Sequence, residues 1–148
     1  MVGIALTNLD DFPLLWRWTQ VTHSVLAPEV LATIRPLTQA AAQDQAAHAS
    51  AIWQAPRTPS VQHFEAPAER ADDVRKNLEG LGLLPTTPII VYWDMGLAVQ
   101  TIWQTFTNHW DDFCYPSSDD VVVWSLTEPW ALCYGHHEWF DYRPEAVA

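Results

Sequence analysis

The chain has 148 residues, a formal net charge of −11 at pH 7 and seven basic side chains, while 49% of its residues are hydrophobic. This length fits one domain, residues 1–148, that buries a core without disulfides or a metal, and the hydrophobic content argues against disorder. Too few cations are present to neutralise a run of phosphates, so the composition disfavours nucleic acid and an anionic membrane as partners. It favours a basic protein instead, because opposite charges speed encounter.

The two cysteines, Cys114 and Cys133, form neither a CxxC pair nor a zinc-ligand spacing. Such thiols are typical of buried side chains in a reducing compartment. The first residues lack the basic and apolar regions of a signal peptide, and no apolar run reaches the ~18 residues that cross a bilayer. We therefore expect a cytoplasmic protein, monomeric or homodimeric, that carries no cofactor.

The first half of the chain, about residues 9–82, reads as helical. Caps, prolines and apolar spacing predict helices that open near residues 9–13 and 28–30, and a long Ala- and Gln-rich helix over 37–53 with one Ala face packed. Three prolines make 54–67 a connection with a brief extended piece at 61–65. A further helix over 67–81 ends at glycines.

Strand patterns dominate the second part of the chain, about residues 88–143. Beta-branched and aromatic runs predict a hairpin of strands 89–93 and 97–101, followed by an aromatic helix over 102–113. Three more strands are predicted at 121–124, 130–134 and 138–142, the first of them buried on both faces. The sequence therefore predicts an α+β fold in which N-terminal helices pack on a C-terminal antiparallel sheet of four to five strands.

Aromatic and acidic side chains alternate in the last third of the chain, which holds most of the nine tryptophans and a single arginine. Large rigid rings beside carboxylates are typical of protein interfaces, where the rings anchor and the acids pair with Arg or Lys. This pattern predicts a partner-binding surface. Its expected residues are Trp93, Asp94, Asp111, Asp112, Asp119, Asp120, Trp130, His136 and Glu138.

An enzyme is the main alternative. A small hydrolase or metal-dependent enzyme would use an acid and histidine cluster in the C-terminal sheet, namely Asp119, Asp120, His136, His137 and Glu138. Adjacent histidines on a strand point to opposite faces, which makes a poor local chelate. Cys114 with His109 or His136 would be a nucleophile pair, but no nucleophile motif surrounds it. A third alternative is a structural domain that dimerises through its sheet edge.

One threonine, several aromatic residues and one acidic doublet carry a resemblance to a known kind of protein. They are Thr101, Trp103, Phe106, Trp110, Phe113 and the doublet Asp119–Asp120, within the run IVYWDMGLAVQTIWQTFTNHWDDFCYPSSDDVVVW. This run resembles small, acidic, aromatic-rich bacterial proteins of uncharacterised families, of the kind found as immunity proteins of polymorphic toxin systems. The resemblance implies a neutralising role, in which the protein covers a basic toxin domain with its acidic, aromatic face.

Overall fold

The sheet has seven strands rather than the expected four to five. The computed structural model describes residues 3–146. The strands of the sheet are β2 (Arg35–Pro36), β3 (Gln62–Glu65), β4 (Pro88–Trp93), β5 (Leu97–Ile102), β6 (Val121–Ser125), β7 (Ala131–Gly135) and β8 (Trp139–Arg143). They lie in the order β2-β5-β4-β6-β7-β8-β3. Every neighbouring pair is antiparallel, which confirms the α+β class. A further short strand, β1 (Ser24–Val25), lies outside this sheet.

The two additional strands come from the half of the chain that was expected to be helical, and they form the two edges of the sheet. β2 pairs with β5, so Pro36 lies on an edge strand, where its missing N–H costs no ladder hydrogen bond. β3 pairs with β8 and coincides with the brief extended piece predicted at 61–65. The expectation of four to five strands was therefore wrong at both edges.

Most helices are shorter than the sequence predicts. The long helix expected over 37–53 is divided at Gln45 into α3 and α4, and the helix over 102–113 is divided at His109 into α6 and α7. Their bounds are α1 (Trp16–Thr19), α2 (Pro28–Leu31), α3 (Gln39–Asp44), α4 (Ala46–Gln54), α5 (Ala71–Glu79), α6 (Trp103–Asn108) and α7 (Trp110–Phe113), with 3-10 turns at Leu9–Asp11 and Ala68–Arg70.

Both faces of the sheet are covered, which explains why its central strands are apolar throughout. In β4, Ile89 and Trp93 pack with side chains of α1, α5, α6 and α7, whereas Ile90 and Tyr92 pack with α3 and α4 on the other face. All five residues of β6 are buried, as predicted for a strand with two covered faces. Within residues 3–146 no helix is long and apolar enough to cross a membrane.

Candidate functional site

A cleft of about 260 Å³ lies between α4 and the sheet and is the candidate site. We call it the α4 cleft. The space exists because α4 contributes small side chains where it faces β4 and β6. Longer side chains at these helix positions would fill it. Its lining residues are Ala46, Ala49, Ser50, Trp53, Tyr92, Asp94, Asp120 and Val122.

Two carboxylates lie at one end of the α4 cleft because antiparallel strands bring them together. Asp94 follows the last residue of β4 and Asp120 precedes the first residue of β6, and the Asp94 N–H donates to the Asp120 carbonyl over 3.1 Å. His136, which follows β7, donates its backbone N–H to Asp120 Oδ1 over 3.0 Å, and its Nδ1 lies 2.8 Å from the same oxygen. Among the described residues, Asp94 has no ion pair and Asp120 pairs with His136 alone.

The charge at this end of the cleft is unbalanced. Partial burial raises the pKa of the Asp94 carboxyl above its ordinary value, and the negative charges of Asp120 and Asp119 raise it further. The fold therefore keeps a carboxylate where ionisation is less favourable than in the unfolded chain. A cation placed beside Asp94 would relieve that cost.

We expect Asp94→Asn to stabilise the free protein at neutral pH. The raised pKa means that the folded state disfavours the ionised carboxylate, so Asp94 costs stability above its folded pKa. The gain should be below about 1 kcal/mol because Asp94 is exposed and water screens its charge. It should shrink as the pH falls through the raised pKa and vanish below the ordinary aspartate value, where both states are protonated.

Urea unfolding between roughly pH 3 and pH 8, which covers the range over which aspartates titrate, measures the difference in stability between Asp94→Asn and the wild type. Asp73→Asn is the matched control, since Asp73 is exposed on α5, on the opposite face of the sheet. It removes the same charge without touching the cleft. A pH-independent difference for Asp94→Asn, or an equal effect at Asp73, would contradict the electrostatic account.

Aromatic rings form other parts of the cleft lining. Trp53 is half-buried at the end of α4, and Tyr92 is a nearly buried residue of β4. The ring of Trp53 lies 5.7 Å from that of Trp139, which in turn lies 5.8 Å from the ring of His63 on the edge strand β3. A row of rings therefore extends from the cleft toward the sheet edge, and it holds Trp53 in place.

The structure corrects the assignment of Asp119 to the partner-binding surface. Asp119 is fully buried and forms an ion pair with Arg17, whose Nη1 lies 2.6 Å from Asp119 Oδ2. The same carboxylate accepts hydrogen bonds from the Tyr115 N–H and the Ser118 hydroxyl. Asp119 is thus a structural residue that links α1 to the segment before β6.

The two tryptophans expected as anchors are also buried. Trp93 has 0% exposure and donates its indole N–H to the Phe113 carbonyl over 2.8 Å. Trp130 has 2% exposure, and its ring packs edge-on against Trp103 at 5.2 Å. Both lie on the sheet face opposite the cleft and belong to the core. The expectation that they are accessible was wrong, because helices cover both faces.

Three other predicted residues lie away from the cleft. Asp112 accepts a hydrogen bond from the Ser24 hydroxyl over 2.6 Å, and Asp111 lies 3.9 Å from the Arg75 guanidinium. Both are in the first turn of α7 rather than at the end of a longer helix. Glu138 accepts a hydrogen bond from the Ala68 N–H and so holds a 3-10 turn. Of the nine predicted residues, the structure gathers Asp94, Asp120 and His136.

The cluster expected for an enzyme is dispersed. The His137 ring lies beside that of His136, tilted by 45° with ring centres 4.1 Å apart, while Asp119 and Glu138 are engaged elsewhere. No group of three or more His, Cys, Asp or Glu side chains within residues 3–146 could hold a metal ion. The alternative nucleophile, Cys114, is buried, and burial raises the pKa of its thiol well above the ordinary value. A neutral buried thiol is a poor nucleophile.

Sequence reasoning missed the residues that α4 contributes to the site. Ala46, Ala49 and Ser50 appear only as part of an Ala-rich helix, and Trp53 only as its last large residue. One signal was present in the sequence. A run of small residues that ends in a tryptophan gives a helix that leaves space beside one large ring.

Comparisons of this chain with family models, with curated proteins and with solved structures found no match.

Proposed function

We propose that the protein binds a basic protein partner through the α4 cleft, as an immunity-type protein that neutralises a toxin domain in the cytoplasm. The observation that carries the proposal is the pair of carboxylates, Asp94 and Asp120, in one cleft with the rings of Trp53 and Tyr92. Carboxylates supply charge complementarity to a basic surface, and aromatic rings supply contact area at a small entropic cost.

Net charge supports the same proposal. A charge of −11 on 148 residues repels anionic partners and attracts cationic ones over about a Debye length, near 10 Å at ~0.1 M salt. Such attraction speeds association with a basic protein. The exposed carboxylate of Asp94 and the half-buried carboxylate of Asp120 are placed to continue that attraction into direct contact.

The geometry supports binding rather than catalysis. The contact between Asp120 and His136 resembles the orienting half of a catalytic triad, in which a nucleophile must reach the second imidazole nitrogen. In the part of the chain that the structure describes, no hydroxyl or thiol forms a hydrogen bond with His136. The structure supports a positioning role for His136, which fixes the orientation of the Asp120 carboxylate.

Removing both cleft carboxylates should weaken capture of the partner. We expect the tagged wild-type protein to retain a basic protein from its native lysate at ~50 mM salt and to release most of it at ~500 mM. The variant Asp94→Asn/Asp120→Asn should bind the partner at least about a hundredfold more weakly, since hydrogen bonds between charged groups contribute ~1.5–3 kcal/mol each. Mass spectrometry identifies the captured protein, and calorimetry on the purified pair gives the dissociation constants.

The matched control is Asp73→Asn/Glu79→Gln, which removes two exposed charges from α5 on the other face of the sheet. This control should bind as the wild type does. If both double variants lose affinity equally, net charge rather than the cleft determines binding. If no basic protein is captured, or if the captured protein retains its toxicity in the complex, the proposed function is wrong.

A further inference from the structure

We infer that the α4 cleft receives the side chain of one arginine residue of the partner, and that its guanidinium group lies between the carboxylates and the aromatic rings. This inference rests on the proposed function and specifies the chemistry that the site recognises. Three features carry it: the size of the cleft, the free oxygens of its two carboxylates and the aromatic rings in its walls.

The size of the cleft suits one long side chain. At the ~30 Å³ that a water molecule occupies in the liquid, its 260 Å³ corresponds to about eight or nine waters. That number is comparable to the number of non-hydrogen atoms in one arginine or lysine side chain. The cleft is far too small to hold a helix or a strand. The small residues Ala46 and Ala49 provide space for the aliphatic part.

Acceptor atoms remain available at the acidic end. Both hydrogen bonds between Asp120 and His136 use Oδ1, so Oδ2 carries no hydrogen bond from the described residues. Asp94 likewise lacks an ion pair within residues 3–146. A guanidinium group presents five N–H donors in a planar fork and can bond two carboxylates at once, whereas an ammonium group is a compact point charge.

The walls also favour arginine over lysine. The rings of Trp53 and Tyr92 line the same space as the acids. A guanidinium group is planar and weakly hydrated, so it stacks on aromatic faces at a lower desolvation cost than an ammonium group. The cleft therefore combines the two features, paired carboxylates and aromatic faces, that distinguish arginine recognition from general attraction of cations.

A small arginine derivative tests this inference without the partner. We expect N-acetyl-arginine-N-methylamide to bind the full-length protein with a dissociation constant of about 1 mM, a usual affinity for a ligand of this size. Chemical shifts in ¹⁵N-labelled protein should move at the Trp53 indole N–H and at the amides of Ser50 and Asp94. The citrulline derivative, which is neutral and nearly the same shape, should bind at least tenfold more weakly, and the lysine derivative severalfold more weakly.

Two variants connect the binding to the cleft. Asp94→Asn should weaken binding of the arginine derivative about tenfold, whereas Asp73→Asn should leave it unchanged. Ala46→Leu should abolish the shifts by filling the cleft. Ala46 is an exposed helix position, so leucine there preserves helix propensity and folding.

Each outcome decides the inference. Equal affinity for the citrulline derivative would overturn recognition of charge, tighter binding of the lysine derivative would overturn recognition of guanidinium, and no shifts at ~50 mM ligand would overturn the site itself. A partner captured through Asp94 and Asp120 without any response to arginine would leave the proposed function intact. Arginine binding without any captured partner would instead contradict the proposed function and support the site.

Discussion

Replacing Arg17 by methionine should lower the free energy of unfolding by about 3–5 kcal/mol, the largest effect that we expect of a single substitution in this protein. Arg17 is 4% exposed and pairs with the fully buried Asp119. Its guanidinium carbon also lies 3.9 Å from the centre of the Tyr115 ring. Methionine would leave the Asp119 carboxylate buried without its counter-charge, and that uncompensated charge accounts for most of the cost.

A double-mutant cycle with Asp119→Asn distinguishes this cause from lost packing. The variant Arg17→Met/Asp119→Asn should be less destabilised than the sum of the two single variants, because neutral asparagine needs no counter-charge. Urea unfolding followed by tryptophan fluorescence measures all four proteins. Additive effects would show that the ion pair contributes little and that packing dominates.

Replacing Gly135 by alanine should lower the free energy of unfolding by about 1–3 kcal/mol, as overpacking of a buried site does. The Trp139 indole lies directly on Gly135, at the position that a Cβ atom would occupy. The Trp139 ring would have to shift to make room. Because the Trp139 ring lies 5.7 Å from that of Trp53, the shift should reach the α4 cleft.

Two measurements follow the effect of Gly135→Ala. Urea unfolding reports the loss of stability, and the indole N–H resonances of Trp139 and Trp53 report the movement of the rings. Gly3→Ala is the control, since a Cβ atom at Gly3 meets no atom within 4 Å. Unchanged stability together with unchanged indole resonances would contradict the close packing of Trp139 on Gly135.

Local pairing explains which parts of the fold the sequence predicts. The hairpin of β4 and β5 follows from apolar runs on either side of a short turn, and its register extends from Pro88 paired with Ile102 to Trp93 paired with Leu97. The edge strands have no such local partner: the sequence does not predict β2, and it predicts β3 only as a brief extended piece. Arg35 pairs with Gln100, and Gln62 with Tyr142, so their structure depends on partners that are distant in sequence.

The doublet Asp119–Asp120 shows why the site could be predicted only in part. The two residues have the same side chain and neighbouring positions, so composition assigns both to one surface. Successive side chains of an extended segment point to opposite faces. One carboxylate therefore enters the core beside Arg17, and the other enters the cleft beside His136. Only the register of β6, set by its partners, decides which is which.

The same limit applies to the tryptophans. A ring near a turn looks accessible in a sequence, but the segments that cover it can come from far away in the chain. Trp93 is stacked on Phe113 and also contacts Trp18 of α1 and Phe12, which follows the first 3-10 turn. Burial on both faces of the sheet was visible in the apolar runs, whereas the identity of the covering helices was not.

The positions of β2 and β3 at opposite edges of the sheet have a consequence for the order of folding. The segment that joins them contains α3 and α4, so it crosses one face of the sheet and is held at each end by an edge strand. Its two attachments close long loops, which are entropically costly and slow to form. We expect the central strands to assemble first and the segment with α3 and α4 to dock last. The α4 cleft, and with it the proposed binding site, then forms only when this segment has docked.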